Sequence, residues 1–328
     1  MPTAPCHEEV VARFVRSHLR ALALPFREDR HGNIVVELRS TPRRTAVAFV
    51  AHMDHPGFEV GRVRGRSIEC SFLGGLPPAC VRKGVAVEFF DASGYRIAIG
   101  RVHRIEKWER RDKRVRVALQ EGEVQRGQFG MWKLPGLRFD SASRRLFSRA
   151  CDDLAGCAAI LGTLSALVRG RHKARLYAIF TRREEIGLQG AYEVARSHRL
   201  PRAVPVISIE TSKMLPNAPQ GAGPIVRVGD RATIFDPGLT GRLCDIARRL
   251  EATGGTPFRF QRKLMDGGTC EATAWQEAGY AAGGLCVALG NYHNCGQHGR
   301  IAAEHIRLDD WHGMVRLMTV IAQKFALL

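Results

Sequence analysis

The sequence predicts an α/β fold in which a mostly parallel central sheet carries helices on both faces and a small β-barrel-like domain is inserted. From residue 151 onward, segments with a helical period alternate with segments typical of strands. Residues 46–51, Ala-Val-Ala-Phe-Val-Ala, are apolar throughout, as in a central strand that is covered on both faces. Residues 58–147 show short alternating segments broken by Gly, Pro and Asp, which is typical of a small all-β unit.

The first part of the chain supplies one helix and a series of strands. Apolar residues at helical spacing predict a helix over residues 7–22. Two strands are expected next, at residues 33–38 and 45–51. The clearest strands of the all-β segment are residues 85–90, 96–102 and 114–119.

The second part of the chain supplies the alternating elements. Predicted helices cover residues 154–168, 189–198, 241–252 and 311–325. Predicted strands cover residues 175–180, 203–209 and 283–289. Such alternation joins parallel strands through helices. The simplest architecture is therefore one α/β domain, residues 1–57 and 148–328, interrupted by an all-β domain at residues 58–147.

The balance of charge is strongly basic. The 328 residues include 50 Lys+Arg and 32 Asp+Glu, which gives a net charge of +18, and the cations are 42 Arg and 8 Lys. The excess of Arg over Lys favours a compositional bias, while an anionic partner is the alternative. The densest basic run, Arg101–Arg116, is interrupted by three acidic residues and holds one aromatic residue, Trp108. Because one aromatic residue offers little surface on which nucleic-acid bases could stack, we do not expect a nucleic-acid partner.

Composition also limits the class of protein. Hydrophobic residues make up 45% of the chain, which excludes an intrinsically disordered protein. No apolar run approaches the roughly 18 residues of a membrane span, so we do not expect an integral membrane protein. The N-terminal residues are polar, and no signal peptide is expected. The nine cysteines are scattered without a C-x-x-C pair. They are interpreted as reduced core residues, and we expect a cytoplasmic protein with no membrane partner.

Acidic residues and histidines collect where the predicted strands end, the edge at which such sheets bind ligands. Each alone has a structural explanation: a buried histidine, a helix cap, a turn or an ion pair. Together at one edge they would repel one another without a cation, which predicts a metal centre. So many carboxylates favour two metals that share one carboxylate. The five clusters are His52 with Asp54, Asp152 with Asp153, Glu184 with Glu185, Glu210, and His293.

Four motifs carry a resemblance to a known family. In chain order they are His-Met-Asp-His-Pro-Gly-Phe at 52–58, Asp-Asp-Leu-Ala-Gly-Cys at 152–157, Glu-Glu-Ile-Gly-Leu-Gln-Gly at 184–190 and Gly-Gly-Thr at 267–269. They resemble the co-catalytic dizinc aminopeptidases of the glutamyl aminopeptidase and tetrahedral (TET) aminopeptidase family. The resemblance covers nearly the whole chain. It implies a phosphorylase/hydrolase-like fold and a homo-oligomer, with the inserted domain serving oligomerisation or substrate access.

The resemblance also implies roles for individual residues and a cis peptide bond between Asp152 and Asp153. Two divalent metal ions are expected, zinc first and cobalt or manganese as alternatives. The implied first-metal ligands are His52 and Glu210, the second-metal ligands are Glu185 and His293, Asp152 bridges both, Asp54 orients His52, and Glu184 is the general base.

Three departures from the family pattern stand out. Glu210 occupies a position where Asp is commoner. The Gly-Gly-Thr motif is followed by Cys270 and Glu271 rather than by Asp. The chain between His293 and Glu304 is longer than usual and contains His298, which is the alternative ligand.

The function implied is that of a metal-dependent aminopeptidase that removes N-terminal residues from short peptides, using a metal-bridging water activated by Glu184. The alternative is a related dimetal amide hydrolase, a deacylase or carboxypeptidase, on the same fold. The third hypothesis is a nucleic-acid-binding or scaffold protein whose enzyme fold has lost its catalytic activity. The complete set of ligand positions and Glu184 argue against it.

Overall fold

The computed structural model describes residues 1–41, 46–109, 112–253 and 257–325. The helices are α1 (Glu9–Ala21), α2 (Leu154–Arg169), α3 (Gln189–Arg196), α4 (Pro237–Ala252), α5 (Glu271–Glu277) and α6 (Leu308–Lys324). The strands are β1 (Phe26–Glu28), β2 (Ile34–Arg39), β3 (Val47–His52), β4 (Gly57–Arg64), β5 (Ser67–Leu73), β6 (Ala86–Phe90), β7 (Arg96–Trp108), β8 (Lys113–Gly122), β9 (Phe129–Trp132), β10 (Arg138–Asp140), β11 (Arg145–Ser148), β12 (Arg175–Thr181), β13 (Val206–Lys213), β14 (Ile225–Gly229), β15 (Gln261–Leu264), β16 (Ala282–Leu289) and β17 (Glu304–Arg307).

The central sheet has eight strands in the order β1-β2-β12-β3-β13-β16-β14-β15. Its middle is parallel, with β3 between β12 and β13, and β13 also paired in parallel with β16. Antiparallel pairs occur at β1–β2, β2–β12 and β14–β16. The predicted α/β class with a mostly parallel sheet is confirmed.

Both faces of this sheet are covered because its middle strands are apolar on both sides. On β3, Phe49 faces the core formed with α1, α2, α4 and α6. The adjacent Val50 faces a second core formed with α3 and α5, where Trp275 is fully buried. Burying one such large side chain stabilises the fold by about 1.5–3 kcal/mol.

Among the described residues, no helix combines the length and apolar character that crossing a lipid bilayer requires.

Six strands close the barrel in the order β4-β5-β8-β7-β6-β9. The pairing of Phe58 with Gly130 joins the last strand to the first. Phe58 and Trp132 pack edge to face in its core, with ring centroids 4.7 Å apart. Strands β10 and β11 lie outside the barrel, because they form a three-stranded sheet with β17.

Some element bounds differ from those predicted. β13 begins after Pro205, which has no N–H for the strand ladder, and continues to Lys213 through its pairing with β16. Glu210 therefore lies inside a strand rather than after one. α4 begins four residues earlier than expected, at Pro237, because the Asp236 carboxylate accepts a hydrogen bond from the Leu239 N–H at 2.6 Å. Residue 45 of the second predicted strand lies outside the described residues.

Candidate metal centre

The carboxyl-terminal parts of neighbouring strands and two adjoining segments bring the five predicted clusters together. His52 is the last residue of β3, in register with Thr181 at the end of β12. Glu184 and Glu185 follow β12 directly, and Glu210 lies on β13 on the other side of β3. The two remaining clusters come from the start of α2 and from a 3-10 turn after β16, which carry Asp152–Asp153 and His293.

Two groups of ligand atoms share one carboxylate. His52, Asp152 and Glu210 have ligand atoms within 4.8 Å of one another, and so do Asp152, Glu185 and His293. Asp152 Oδ1 lies 3.4 Å from His52 Nε2, and Asp152 Oδ2 lies 3.5 Å from His293 Nε2. The Asp152 carboxylate therefore lies between two imidazoles, with one oxygen towards each.

The chemistry of these groups suits divalent cations. Asp152 Oδ1 is buried and accepts no hydrogen bond from the described residues. A buried carboxylate oxygen without a donor is costly unless a cation compensates it. Imidazole nitrogens and carboxylate oxygens are the donors that zinc, cobalt and manganese accept. The residues present therefore fit a two-metal centre.

Asp54 holds other residues of the candidate metal centre in position. Its Oδ1 accepts the backbone N–H of Glu184 at 2.9 Å, and its Oδ2 accepts the N–H of Glu185 at 3.0 Å. Oδ1 also lies 3.5 Å from His52 Nδ1, whose nearer partner is the Asp54 carbonyl oxygen at 3.2 Å. Asp54 thus fixes the turn that carries the two glutamates as well as facing His52, and only the second role was expected.

Glu304 is a buried residue whose role at the centre was not predicted from the sequence. Its Oε2 accepts the backbone N–H groups of Cys151 and Asp152 at 2.8 and 3.0 Å, and its Oε1 accepts the N–H of His293 at 2.8 Å. One carboxylate therefore joins the backbone of the shared aspartate to that of a histidine in the second group. A single Glu at the start of a short strand gives no local signal of this role.

His55 is a second residue whose role at the centre was not predicted from the sequence. It is fully buried. Its Nδ1 lies 2.6 Å from the carbonyl oxygen of Asp152, and its Nε2 lies 3.0 Å from Asn294 Oδ1. A histidine directly after the His-x-Asp motif was the available signal. The Asp152–Asp153 peptide bond is cis, as the resemblance implies.

The acids and bases of the centre perturb each other's pKa values. Burial raises the pKa of Glu210 to about 8, and burial together with nearby carboxylates raises the pKa of Glu184 well above its usual range. Burial alone would lower the pKa of His52 and His293, but the surrounding carboxylates raise both well above the usual value. Protons thus balance the carboxylates, and a metal ion would compete with those protons because imidazole binds metal in its neutral form.

A small cavity opens beside the cluster. Its wall also includes Lys213, Arg227 and the Gly267–Cys270 segment. Arg227 is buried, and its Nη1 donates to Ser212 Oγ at 3.1 Å. Asp230 anchors that segment, since its Oδ2 accepts the N–H of Cys270 at 2.9 Å.

The longer loop after His293 has two further features. His298 is exposed and belongs to neither group of ligand atoms, and its carbonyl oxygen accepts a hydrogen bond from Arg82 at 2.6 Å. Cys80 and Cys295 form a disulfide, so the expectation of reduced cysteines is wrong for these two. They are 215 residues apart in the chain, and sequence alone cannot deduce such a pairing.

Comparison with known proteins identifies related sequences. The profile of the M42 glutamyl aminopeptidase family matches residues 32–317. A protein of Acetivibrio thermocellus, whose name assigns it provisionally to the aminopeptidases, is 30% identical over 125 residues. That match covers 34% of this chain and 37% of the relative, so the chain matches little more than a third of the relative's length.

Solved structures share the fold over nearly the whole chain. A TET aminopeptidase of the marine sediment archaeon Thaumarchaeota archaeon SCGC AB-539-E09 has a TM-score of 0.84 at 18% identity, covering 100% of this chain and 94% of its own. An aminopeptidase of the archaeon Desulfurococcus kamchatkensis has a TM-score of 0.82 at 18% identity, covering 99% and 92%. The TET1 peptidase of Pyrococcus horikoshii has a TM-score of 0.79 at 21% identity, covering 98% and 96%.

Proposed function

Because this chain belongs to the M42 glutamyl aminopeptidase family, we propose that it is a metal-dependent aminopeptidase that removes N-terminal residues from short peptides. The observation that carries the proposal is the carboxylate of Asp152, which is common to two groups of ligand atoms. Its two oxygens face the two imidazoles of His52 and His293. Such an arrangement suits two divalent cations that share one ligand.

The proposed ligands follow from the two groups. His52, Asp152 and Glu210 would hold one cation, and Asp152, Glu185 and His293 the other. Zinc is the first choice, with cobalt and manganese as alternatives. When bound, such a pair polarises a carbonyl group and lowers the pKa of water.

Glu184 is the proposed general base. Its side chain is 10% exposed, with Oε2 3.9 Å from His52 Nε2, and the Asp54 carboxylate accepts its backbone N–H. A third group of ligand atoms joins Glu184 to His52 and Glu185. Because the Glu185 carboxylate contacts His293 Nε2 at 3.1 Å, we assign Glu185 to the metal and Glu184 to proton transfer. It takes the proton of the attacking water and delivers it to the leaving amine.

We propose that the α/β domain, residues 1–57 and 148–328, carries the reaction and that the insertion at residues 58–147 serves oligomerisation or substrate access. A contact with the centre supports a role in substrate access, since the Gly75 carbonyl oxygen, in the loop between β5 and β6, lies 2.5 Å from His293 Nδ1. A homo-oligomer is also proposed. Two related structures are described as a dodecamer and as an assembly into a tetrahedron or an octahedral shell.

One experiment tests the proposed function. Metal content is measured, and a panel of aminoacyl anilides, N-acylated peptides and peptides with free C-termini is incubated with and without a chelator. Release of N-terminal residues that the chelator abolishes is expected. Release from only the N-acylated or C-terminal substrates would identify the alternative amide hydrolase. No chelator-sensitive release at all would refute the proposal.

A further inference from the structure

Tyr292 has a fixed position beside the candidate metal centre. It begins the 3-10 turn Tyr292–Asn294, and its ring stacks on the imidazole of His293 with ring centroids 3.7 Å apart and an angle of 23° between the planes. The His293 backbone is itself held by Glu304. The phenol therefore keeps its place relative to the imidazole without any contact from its hydroxyl group.

The hydroxyl group of Tyr292 has no hydrogen-bond partner within the described ranges of the chain. The residue lines the same cavity as Glu184 and Glu185. Its Oη lies 3.2 Å from the point that a Cβ on Gly268 would occupy, so the hydroxyl lies against the Gly267–Cys270 segment.

The two charged donors on the cavity wall are less well suited than Tyr292 to act on a substrate carbonyl. Arg227 Nη1 already donates to Ser212 Oγ. Lys213 is exposed, and its flexible stem packs over Gly267. An effective donor must be fixed in advance where negative charge develops in the transition state, because it then needs no reorganisation during the reaction. Only the Tyr292 hydroxyl is both fixed by its ring and unpartnered among these three donors.

We propose that Tyr292 is a catalytic residue of the peptide hydrolysis put forward above, on which this inference rests. Its hydroxyl donates a hydrogen bond to the carbonyl oxygen of the scissile bond as negative charge develops on that oxygen.

The variant Tyr292→Phe tests this role because it keeps the ring on His293 and removes only the hydroxyl. The expected kcat falls by about 10²–10³, the loss typical of one such donor, while KM and metal content stay close to those of the wild type. Calorimetry supplies a readout apart from activity. A phosphinic dipeptide analogue, whose tetrahedral oxyanion mimics the transition state, should bind more weakly by a similar factor, and a free amino acid should bind equally well.

Tyr280→Phe is the matched control. Its hydroxyl donates to the Leu200 carbonyl oxygen at 2.7 Å and does not line the cavity. Its removal should lower the Tm and leave kcat unchanged. An unchanged kcat in Tyr292→Phe, or a loss that merely follows loss of metal, would overturn the inference while the proposed function stands. A wild type without chelator-sensitive turnover would refute both.

Discussion

Glu184 and Glu185 are neighbours in the chain, yet their side chains serve different parts of the proposed centre. Glu185 contacts His293 Nε2 at 3.1 Å and belongs to the group that shares Asp152. The nearest imidazole nitrogen to Glu184 is His52 Nε2, at 3.9 Å. Asp54 makes the difference possible, since its two carboxylate oxygens fix the two backbone N–H groups of this turn.

Glu184→Gln should therefore keep the metal content and lose about 10²–10⁴ in kcat, because an amide cannot take a proton from water. Glu185→Gln is the matched variant, and it should lose metal as well as activity. Turnover and metal content per chain are the measurements. Unchanged turnover in Glu184→Gln would remove that residue from the mechanism.

Glu304 should matter for metal affinity although it faces no ligand position. Its carboxylate accepts N–H groups from Asp152 and His293, so it holds both in place. Glu304→Gln should weaken zinc binding about 10- to 100-fold, as loss of a supporting partner does in other metal sites. Competition with a chromophoric chelator measures this, with Glu251→Gln on the exposed face of α4 as the control. Equal zinc affinity in the Glu304 variant would contradict the assignment.

Glu271 should make the stability of the metal-free protein fall as pH rises. The residue is fully buried, its Oε2 has no hydrogen-bond partner among the described residues, and burial raises its pKa from 4.5 to about 7. Between these values the folded state keeps a proton that the unfolded state has lost. The proton on Glu271 stabilises the folded state fully below pH 4.5, and this stabilisation is lost as pH rises to 7. The difference between the two pKa values corresponds to about 3 kcal/mol in the free energy of unfolding.

Urea unfolding of the chelator-treated wild type and of Glu271→Gln, at pH 5 and pH 7.5, measures this change. The free energy of unfolding of the wild type should fall relative to that of the variant as pH rises. A difference between the two proteins that does not depend on pH would show that Glu271 ionises alike in both states.

At the scale of elements, the helix caps explain boundaries that periodicity missed. α4 begins at Pro237 because the Asp236 side chain accepts a hydrogen bond from the Leu239 N–H. Asp236→Ala should lower the free energy of unfolding by about 1 kcal/mol and leave kcat unchanged. Asp245→Ala, on the exposed face of the same helix, should have a much smaller effect. Equal stability of the two variants in urea unfolding would show that this cap contributes nothing.

The sequence predicted the elements whose pattern is local and long. β3 was visible as an apolar run, and α2 as a helical period that follows two aspartates. The short elements β15 and α5, of four and seven residues, were not predicted, since their positions depend on tertiary contacts. β13 was ended too early because Thr211 and Ser212 interrupt the apolar pattern, whereas pairing with β16 extends the strand through them.

The candidate site was predictable to a similar extent. Five clusters at strand ends indicated a common edge, and the structure brings them together. The roles of Glu304 and His55 were not predictable, because they depend on hydrogen bonds between segments as much as 239 residues apart. The loop around His293 was equally hidden, since this residue has a φ of 54° within a short 3-10 turn.

At the scale of the whole molecule, three cations of the basic run Arg101–Arg116 pair with acids of their own hairpin, namely Lys107, Arg114 and Arg116. Lys107 pairs with Glu109 and Asp112, and Arg116 pairs with Glu106. Residues 110 and 111 of the run lie outside the described residues. Such surface pairs contribute little to stability, and they leave fewer cations for a nucleic acid. A compositional bias towards Arg therefore explains the net charge of +18 better than a polyanionic partner does.

The inserted barrel and the α/β domain meet at the candidate site. The Cys80–Cys295 disulfide and the contact between Gly75 and His293 both join the insertion to the loop after β16. The geometry of His293 thus depends on both parts of the chain. All the proposed chemistry in turn depends on two cations held around one shared carboxylate.

Calorimetric titration of the chelator-treated protein with zinc tests that claim most directly. Two zinc ions per chain are expected in the wild type. Asp152→Asn should weaken binding of both ions, because Asp152 belongs to both groups of ligand atoms. Asp245→Asn, at an exposed position, should bind zinc like the wild type. A single zinc ion per wild-type chain, or two ions bound unchanged by Asp152→Asn, would contradict the account.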